Sequence, residues 1–452
     1  MRRYLTITGL ASLGFVLFVA LSRGWWAFEE GIDVPPLYAG FRPGWSPRLI
    51  VPVVLFGGML WFMTRAQVRW PCGSAWCTLL PLVLLGALLH LSMATLEAGV
   101  SGIEAPFVPA GLEYYSDIPR VNASFLATYV ADMGELSLHG RTHPPGPILL
   151  LWGLSRLLGG SRLAVATTVA CLAALAAIPV YLLARQVLLD ADRALLAAFL
   201  FLLTPNVILY SATSMDSAIL FFSAWTLYCA WESLRQASLR WAVLAGLAYT
   251  LTLFMTFTVA FLSLFLGLLF LLLWLGDPGR RIRRSWALMA LGVTVVVCYF
   301  VLGVSTGFNI LACFQRAWEL NRTSIAVLRP YGYWLIGNVV AYVTWLGFAS
   351  WPLLRAQLQQ ALRRCRQGEL RMGVEIMLLA AVGTTLVWDL SGLIRGEVGR
   401  VWLFLVPTLV IPAAGRLGAW LSEARSRVPL YACAALLFGQ ALIFELLLNT
   451  YW

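Results

Sequence analysis

A polar segment from Glu113 to Pro147 interrupts a chain that is otherwise strongly apolar. It contains two of the three histidines, His139 and His143, together with Asp117 and several further acids. Carboxylates and imidazoles are the side chains that most often take up or give up protons in enzymes. If the chain performs chemistry, we expect to find it first in this segment.

Charged residues also lie close to the ends of apolar runs elsewhere in the chain. Asp216 lies in the short turn SATSMDSA, and Glu397 and Arg400 lie next to Arg395 in SGLIRGEVGRVWLF. A charge close to membrane depth is costly unless it is paired or functional. Two interpretations therefore stay open for each of them. Asp216 is either a helix cap or part of a binding site, and Glu397 and Arg400 either form a salt bridge with each other or belong to such a site.

The composition assigns the chain to the polytopic membrane proteins. Of its 452 residues, 60% are apolar and only 12% are charged. Such usage lies outside that of soluble domains, and the chain has room for about a dozen helices of about 20 residues. We therefore expect an all-α fold, in which one helical bundle crosses the membrane many times.

Apolar runs predict about thirteen membrane spans, and the run from 241 to 275 is divided near Met255 to Phe257 because it is too long for one helix. The predicted spans are 5–22, 49–64, 77–96, 163–184, 194–210, 217–232, 241–254, 257–275, 286–304, 332–353, 372–388, 400–415 and 428–448. With the N-terminus inside, the densest arginine clusters, at 280–284 and 355–371, fall on the cytoplasmic side, as the positive-inside rule requires. The acids then favour the exoplasmic side.

The longest predicted exoplasmic loop, 97–162, far exceeds what a connection between two helices needs. Within it, SFLATYV and PILLLWGLSRLLG predict two short amphipathic helices that lie in the membrane interface. Pro144 and Pro145 prevent an earlier start of the second helix. The chain divides into 1–76 with two N-terminal spans, 77–275 with this loop, and 276–452 with the outer loops 305–331 and 389–399.

Several functional classes lack their sequence signatures here. The chain has no GxxxxGK, GxGxxG, GxSxG or HExxH motif, which argues against an ATP-driven pump, a nucleotide-binding domain and a zinc protease. The net charge of +11 follows from arginines at helix ends, so no nucleic-acid partner is expected. A multi-pass transporter or lipid flippase stays the alternative, although the predicted spans hold few acids, such as Glu375, Asp389 and Glu445, which is little for a proton relay.

Four phrases occur in an order that resembles a known superfamily. They are SDIPRV at Asp117, THPPGP around His143, LLLWGLSRLLGGSRLA and IPVYLLARQVL. From the third span to about Leu275, this order is similar to that of the polyprenyl-phosphate-sugar-dependent membrane glycosyltransferases of the GT-C type, which include protein O-mannosyltransferases and the aminoarabinose transferases of lipid A. Ile118 replaces the second acid of the family's Asp-Glu pair, and MTFT at 255–258 replaces a Lys-Gly, so the resemblance indicates a divergent member.

The resemblance implies transfer of a sugar from a polyprenyl-phosphate donor to a lipid, glycan or protein acceptor at the outer face of the cell's inner (plasma) membrane. Single displacement needs a carboxylate to take the acceptor proton and positive charge to hold the departing phosphate. We predict Asp117 as this base, although a loop acid of this kind also occurs as a solvated residue or a helix cap. The outer arginines able to reach a phosphate are Arg120, Arg141, Arg322, Arg329, Arg395 and Arg400.

Of these arginines, Arg395 and Arg400 are favoured because they lie beside Glu397. Asp216 and His143 are further candidates for substrate binding. His143 is also explained as a structural hydrogen-bonding residue of the proline turn, and its spacing from His139 does not indicate a metal site. We expect no cofactor, and the sequence does not support a divalent metal. Besides the donor and the acceptor, the expected partners are membrane lipids.

Overall fold

The computed structural model describes the chain except residues 27, 29–31, 67–74, 110, 213–214, 325–328, 370–371 and 450–452, and the side chains of residues 25, 66 and 322–324. The described residues form 21 α-helices and two strands of two residues each. The expected all-α polytopic membrane bundle is confirmed. The strands β1 (Gly40–Phe41) and β2 (Leu448–Asn449) pair antiparallel, with Gly40 opposite Asn449.

The α-helices follow one another with short connections. The first ten are α1 (Arg2–Trp25), α2 (Ile50–Ala66), α3 (Trp76–Ala94), α4 (Ser101–Glu104), α5 (Phe125–Asp132), α6 (Gly146–Leu157), α7 (Arg162–Leu175), α8 (Ala177–Leu188), α9 (Ala191–Leu203) and α10 (Pro205–Leu209). The remainder are α11 (Asp216–Gln236), α12 (Leu239–Met255), α13 (Ala260–Gly276), α14 (Arg281–Thr306), α15 (Ile310–Ser324), α16 (Tyr331–Trp345), α17 (Trp351–Arg366), α18 (Val374–Ser391), α19 (Val398–Val401), α20 (Val406–Ala424) and α21 (Val428–Leu447).

Short 3-10 helices occupy many of the connections. They are Pro35–Leu37, Pro47–Leu49, Ala105–Phe107, Tyr114–Arg120, Met133–Glu135, Gly140–Thr142, Tyr210–Ala212, Phe257–Val259, Pro278–Arg280 and Leu403–Leu405. Five of these ten lie between α4 and α11, in or next to the polar segment and the turn that precedes Asp216. Short 3-10 turns direct side chains where a continuous helix would not, so these connections can build a site.

The number of membrane-crossing helices is smaller than the thirteen spans predicted. In the described part of the chain, nine helical segments are long and apolar enough to cross a membrane, or ten if α9 and α10, bent by 56°, form one span. The predicted spans that fail are those of α11, α12 and α16. Whereas α11 carries charged residues at both ends, α12 and α16 have only 17 and 15 residues, fewer than the about 20 that cross the hydrocarbon core.

Three local predictions are confirmed. The two short helices expected in the long loop are α5 and α6, and the long apolar run breaks at Thr256, which has an extended backbone between α12 and the turn that opens α13. Gly146 shows why α6 lies at this break: a Cβ there would overlap the carbonyl group of Phe254. The end of α12 thus supports the long loop.

Two apolar cores hold the bundle and the loop. The larger core includes buried residues from Tyr4 in α1 to Phe444 in α21, so helices from both ends of the chain share it. The smaller core packs Tyr129, Ile148 and Phe308 beneath the long loop, and all three are fully or almost fully buried. The loop is therefore a packed layer over one end of the bundle, and burial of this kind can hold polar side chains in fixed positions.

Candidate functional site

A buried ion pair joins two distant parts of the chain at the end of the bundle that carries the long loop. The Nε atom of Arg400, in α19, lies 3.1 Å from Oδ2 of Asp216, at the start of α11, and the two side chains are only 10% and 12% exposed. Asn206, in α10, ties α19 to the segment that precedes α11, since its Nδ2 donates to the carbonyl oxygen of Gly399 over 3.0 Å. A Cβ at Gly399 would overlap the indole ring of Trp345, so this close approach needs glycine.

A second pair lies within the polar segment. The chain pairs with itself here, since the amides of Leu138 and His139 donate to the carbonyl oxygens of Gly111 and Leu112. This places Nδ1 of His139 at 2.9 Å from Oε1 of Glu113, whose side chain is only 1% exposed. The rings of Tyr114 and His139 are in contact, with centroids 5.7 Å apart.

The two pairs belong to one electrostatic cluster. Burial alone would lower the pKa of Arg400, but the carboxylates of Asp216, Glu397 and Glu113 raise it well above its ordinary value. Burial raises the pKa of Asp216, although the positive charge of Arg400 opposes the change. A low local dielectric makes such charges act strongly on one another. We call Glu113, His139, Asp216, Glu397 and Arg400 the charged cluster.

Glu397 is held by Arg329. Its Oε1 accepts a hydrogen bond from Nη2 of Arg329 over 2.7 Å, and the guanidinium of Arg329 also lies over the ring of Tyr38. Burial raises the pKa of Glu397, but Arg329 and Arg400 outweigh it, so the pKa lies below its ordinary value. Of the two interpretations that the sequence leaves open for Glu397 and Arg400, a salt bridge between them is not what forms: Glu397 pairs with Arg329, and Arg400 pairs with Asp216.

A buried amide fixes the loop before Glu397. Asn338 donates from Nδ2 to Oδ1 of Asp389 and to the carbonyl oxygen of Ile394, and it accepts from the amide of Gly396. Glu397 itself has a φ of 58°, in the left-handed region that favours glycine. Such a conformation persists where surrounding contacts determine it, and the hydrogen bonds of Asn338 are contacts of that kind.

Asp117 lies beside the charged cluster, and its carboxylate is used within the loop. It is 3% exposed and accepts hydrogen bonds from the amide and from the hydroxyl of Ser137, the latter over 2.6 Å. Burial raises the pKa of Asp117, although the hydrogen bonds of Ser137 oppose the change. The contacts tie the turn at Tyr114–Arg120 to the segment that leads to His139.

His143 lies against the cluster without joining an ion pair. Its Nδ1 is 2.9 Å from the carbonyl oxygen of His139, and its ring contacts Tyr114 edge to face. Burial, together with the charges of His139 and Arg400, lowers the pKa of His143 to about 3. The imidazole is therefore neutral at physiological pH, and the backbone around it is held by Tyr129, whose hydroxyl donates to the carbonyl oxygens of Gly140 and His143.

The remaining predicted arginines divide into different environments. Arg120 forms an exposed pair with Glu135, and Arg395 uses Nη1 to donate to the carbonyl oxygen of Arg329. Arg141 is half-buried, and its Nε has no hydrogen-bond partner within the described residues. The side chain of Arg322 lies outside the described part of the chain. Arg400 is thus the predicted arginine that the structure places deepest in the cluster.

Asp216 does not serve as the helix cap. It is the first residue of α11, the cap position belongs to Met215, and the carboxylate binds Arg400. Glu113, His139 and Arg329 were not among the preferred site residues in the sequence. Acids and histidines concentrate in the polar segment, but the spacing of Glu113 and His139 says nothing about their pairing, which depends on the backbone contact between residues 111–112 and 138–139.

The arrangement can bind an anion and move a proton. Nη1 of Arg400 is buried and has no hydrogen-bond partner among the described residues, so one strong donor stays available beside two carboxylates. A guanidinium is well suited to phosphate, and a carboxylate paired with an imidazole can accept a proton. Within the described residues, no group of three or more His, Cys, Asp or Glu side chains is placed to hold a metal ion.

Comparison with known families agrees with the resemblance seen in the motifs. Residues 142–303 match the family model described as dolichyl-phosphate-mannose-protein mannosyltransferase, a family of the GT-C superfamily. The match includes His143 and Asp216, begins after Glu113, Asp117 and His139, and ends before the segment of Arg400. Comparison of the chain with curated proteins gives no match.

Proposed function

We propose that the chain is a membrane glycosyltransferase that uses a polyprenyl-phosphate sugar as donor, since residues 142–303 match the family model described as dolichyl-phosphate-mannose-protein mannosyltransferase. The acceptor supplies a hydroxyl group from a lipid, a glycan or a protein. The observation that carries this proposal is the buried Nη1 of Arg400, which lies beside carboxylates and has no partner among the described residues.

Arg400 holds the phosphate of the donor. The bond between the anomeric carbon and the phosphate oxygen breaks, and its electron pair leaves with the phosphate. A guanidinium stabilises the negative charge that develops there, and it does so most effectively where burial excludes water. Asp216 keeps the guanidinium oriented because it binds Nε. Nη1, which has no hydrogen-bond partner among the described residues, stays available for the phosphate.

A carboxylate takes the proton of the acceptor as its oxygen attacks the anomeric carbon. The geometry favours Glu113 for this role, since its carboxylate belongs to the charged cluster and acts on the same guanidinium that would bind the phosphate. His139, at 2.9 Å from Oε1, orients the carboxylate. A side chain in this position provides general base catalysis, which typically accelerates a reaction by about 10²–10⁴-fold.

Asp117 stays the base predicted from the sequence, and the two assignments make different demands on Ser137. If Asp117 is the base, it must exchange at least one hydrogen bond from Ser137 for the acceptor hydroxyl. If Glu113 is the base, the contact between Asp117 and Ser137 persists and holds the loop in place. Four residues separate the two acids, so either assignment leaves the site in the same segment.

His143 and Arg141 complete the proposed donor site. His143 is neutral, so its Nε2, which makes no hydrogen bond with the described residues, can accept a hydrogen bond from, or donate one to, a sugar hydroxyl without adding charge. Arg141 precedes it on the Gly140–Thr142 turn and offers a second cation for the phosphate. Glu397 and Arg395 act through Arg329. Glu397 accepts a hydrogen bond from the side chain of Arg329, and Arg395 donates one to the carbonyl oxygen of Arg329.

The proposed location of the site is the exoplasmic side of the inner (plasma) membrane. The arginine clusters at 280–284 and 355–371 support this orientation, because positive charge concentrates on the cytoplasmic side of membrane proteins. The long loop and the charged cluster lie at the opposite ends of the helices from these clusters. Lipid-linked donors and the acceptors of the cell envelope both meet that face.

Analysis of a deletion strain tests this function. Mass spectrometry of envelope lipids, glycans and proteins should show the loss of one defined sugar, and the wild-type gene should restore it. A gene that encodes Arg400→Ala should not restore it, whereas one that encodes Arg416→Ala should do so, because Arg416 pairs with Glu423 in the second half of α20, away from the charged cluster. An envelope with unchanged glycosylation would contradict the proposal and would favour the transporter or flippase.

A further inference from the structure

A cavity of about 290 Å³ lies next to the charged cluster and takes no part in the chemistry described above. Its walls come from the end of α3, the segment 102–106, the α10 region and the end of α21. The cavity is polar and apolar in similar measure, as are pockets that bind small organic groups. Its volume is suited to a single sugar ring.

The interior of the cavity presents an unusual carboxyl group. Glu445 lines the cavity and is half-buried within the apolar helix α21, near its end at Leu447. Its side chain makes no hydrogen bond or ion pair with another residue in the part of the chain that the structure describes. An acid in a membrane-spanning helix is costly, so its presence without a partner points to a ligand.

The other polar groups lie at the rim. Arg42 and Glu97 both line the cavity and form an exposed ion pair, with 2.7 Å between Nη1 and Oε1, and Asn449 lies beside them on β2. Backbone hydrogen bonds from Arg42 and Gly44 to the end of α21 hold this rim in place. The cavity therefore offers donors as well as acceptors. Arg42 balances the charge of Glu97 but not that of Glu445.

A ligand with hydroxyl groups satisfies this set better than an amine does. A hydroxyl both donates and accepts, so it can bind Glu445 and also receive hydrogen bonds from Arg42 and Asn449, whereas an ammonium group only donates. Met93, Ile208 and Leu209 supply an apolar wall against which the face of a sugar ring packs. The complementary ligand is a pyranose.

A thin wall separates the cavity from the charged cluster. Leu209 and Ala212 line the cavity, whereas Tyr210, between them in the sequence, is buried and lies within the electrostatic reach of Arg400, Glu397 and Asp216. The single turn Tyr210–Ala212 therefore faces the cavity on one side and the cluster on the other. A sugar in the cavity would lie one turn of backbone away from the proposed donor phosphate.

We propose that this cavity binds a pyranose unit of the acceptor, with Glu445 as the residue that recognises its hydroxyl groups. That the bound sugar belongs to the acceptor rests on the proposed function, but binding of a pyranose in this cavity does not depend on turnover. The acceptor is accordingly a glycan or a glycolipid. A glycolipid would place its alkyl chain among the apolar helices, and a free glycan would not need one.

Binding to the full-length protein in lipid nanodiscs tests the proposal. The probes are octyl mannopyranoside, octyl glucopyranoside and octyl galactopyranoside below their micelle-forming concentrations, with the methyl pyranosides as tail-free probes and octylglycerol as a ring-free control. Calorimetric titration, corrected with empty nanodiscs, should show saturable binding of at least one pyranoside. Binding of the methyl compound as well would identify a free glycan, and binding of the octyl compound alone a glycolipid.

Two variants locate the binding. Glu445→Ala removes the carboxylate, and Ala98→Leu fills the cavity with no change of charge; each should weaken the affinity about tenfold or more. Glu423→Ala, at an exposed pair with Arg416, is the matched control and should leave the affinity unchanged. Equal affinity of wild type and both cavity variants, or binding of none of the pyranosides, would overturn the proposal.

The two proposals fail separately. Arg400→Ala and Glu113→Gln should abolish sugar transfer and leave the pyranoside affinity as in the wild type. Saturable, Glu445-dependent binding without any transferase activity would preserve the sugar site and remove the proposed reaction. Transfer that proceeds with the same acceptor KM in Glu445→Ala as in the wild type would preserve the reaction and remove the sugar site.

Discussion

The Nε atom of Arg400 lies 3.1 Å from Oδ2 of Asp216, and this contact joins α19 to the first residue of α11. Asp216 binds one side of the guanidinium, while Nη1 on the other side has no partner among the described residues. An arginine fixed in this way is prepared to bind an anion, because little further ordering is needed when the anion arrives. The proposed mechanism depends on this orientation.

Replacement of Arg400 should therefore reduce turnover far more than it reduces stability. We expect Arg400→Ala to lower kcat by about 10²–10³-fold, the range found when one charge-stabilising donor is removed from an active site. Arg400→Lys should recover only part of the activity, since an ammonium group lacks the planar pair of donors. Steady-state assays with a polyprenyl-phosphate sugar give the comparison, and Arg416→Ala, at the pair with Glu423, is the control. Near wild-type kcat in Arg400→Ala would contradict the role.

Glu113 and Asp117 are separated by isosteric substitutions. Glu113→Gln should lower kcat by about 10²-fold or more with little change in the KM of the donor, because Gln keeps the shape but accepts no proton. Asp117→Asn should lower thermal stability and retain most of the turnover of the folded protein. If Asp117→Asn instead abolishes turnover in a protein that melts like the wild type, Asp117 is the base, as the sequence predicted.

Ser137→Ala provides an independent test of the same question. Ser137 donates two hydrogen bonds to Asp117, and its loss leaves a buried carboxylate with fewer donors. We expect a loss of about 1–3 kcal/mol in the free energy of unfolding, similar to that of Asp117→Asn, with a double variant that is no worse than either single one. Additive losses in the double variant would show that the two residues do not act as one contact.

Much of the fold follows from the sequence because it depends on local patterns. The apolar composition predicted an all-α membrane bundle, and short amphipathic runs predicted α5 and α6. The number of spans did not follow, since a count of apolar runs treats α12 and α16 as full spans although the structure gives them 17 and 15 residues. Helix length depends on where tertiary contacts end the helix, and such contacts are not local.

The members of the charged cluster can be predicted from local sequence patterns, but their pairing cannot. The sequence indicates Asp216, Glu397 and Arg400 as candidates because charge is rare beside apolar runs. It does not indicate their partners, because Glu397 binds Arg329 and Asp216 binds Arg400 across segments far apart in sequence. Glu113 lay within the segment of interest, but its place depends on backbone pairing with the segment of His139.

Acidification should destabilise the protein through His143. The pKa of His143 is about 3 in the folded chain, whereas in the unfolded chain it has the ordinary value of 6.5. Below about pH 6.5 the unfolded chain therefore binds a proton that the folded chain does not. Stability contributed by the neutral imidazole is thus complete above this pH and decreases as the pH falls toward the folded pKa. The melting temperature of the wild type should fall more than that of His143→Asn between about pH 7.5 and about pH 5. Parallel curves would contradict this assignment.

The close contact of Gly399 with Trp345 gives a structural prediction. Gly399→Ala inserts a methyl group into the indole ring, so we expect a loss of about 1–3 kcal/mol and a displaced Arg400. The readouts are the melting temperature and the KM of the donor, and both should change. Gly153→Ala is the control because open space surrounds Gly153 in α6, where alanine should be neutral or stabilising. Equal melting temperatures of the two variants would contradict the proposed contact.

Release of polyprenyl phosphate by the purified protein in proteoliposomes is the direct test of the proposed sugar transfer. Radiolabelled polyprenyl phosphates that carry mannose, glucose, galactose or aminoarabinose are supplied with envelope extract as the source of acceptor. We expect release from one of these donors by the wild type, and loss of that release in both Arg400→Ala and Glu113→Gln, with Arg416→Ala unaffected. Release at equal rates by the wild type and both cluster variants, or no release from any donor, would contradict the proposed transfer.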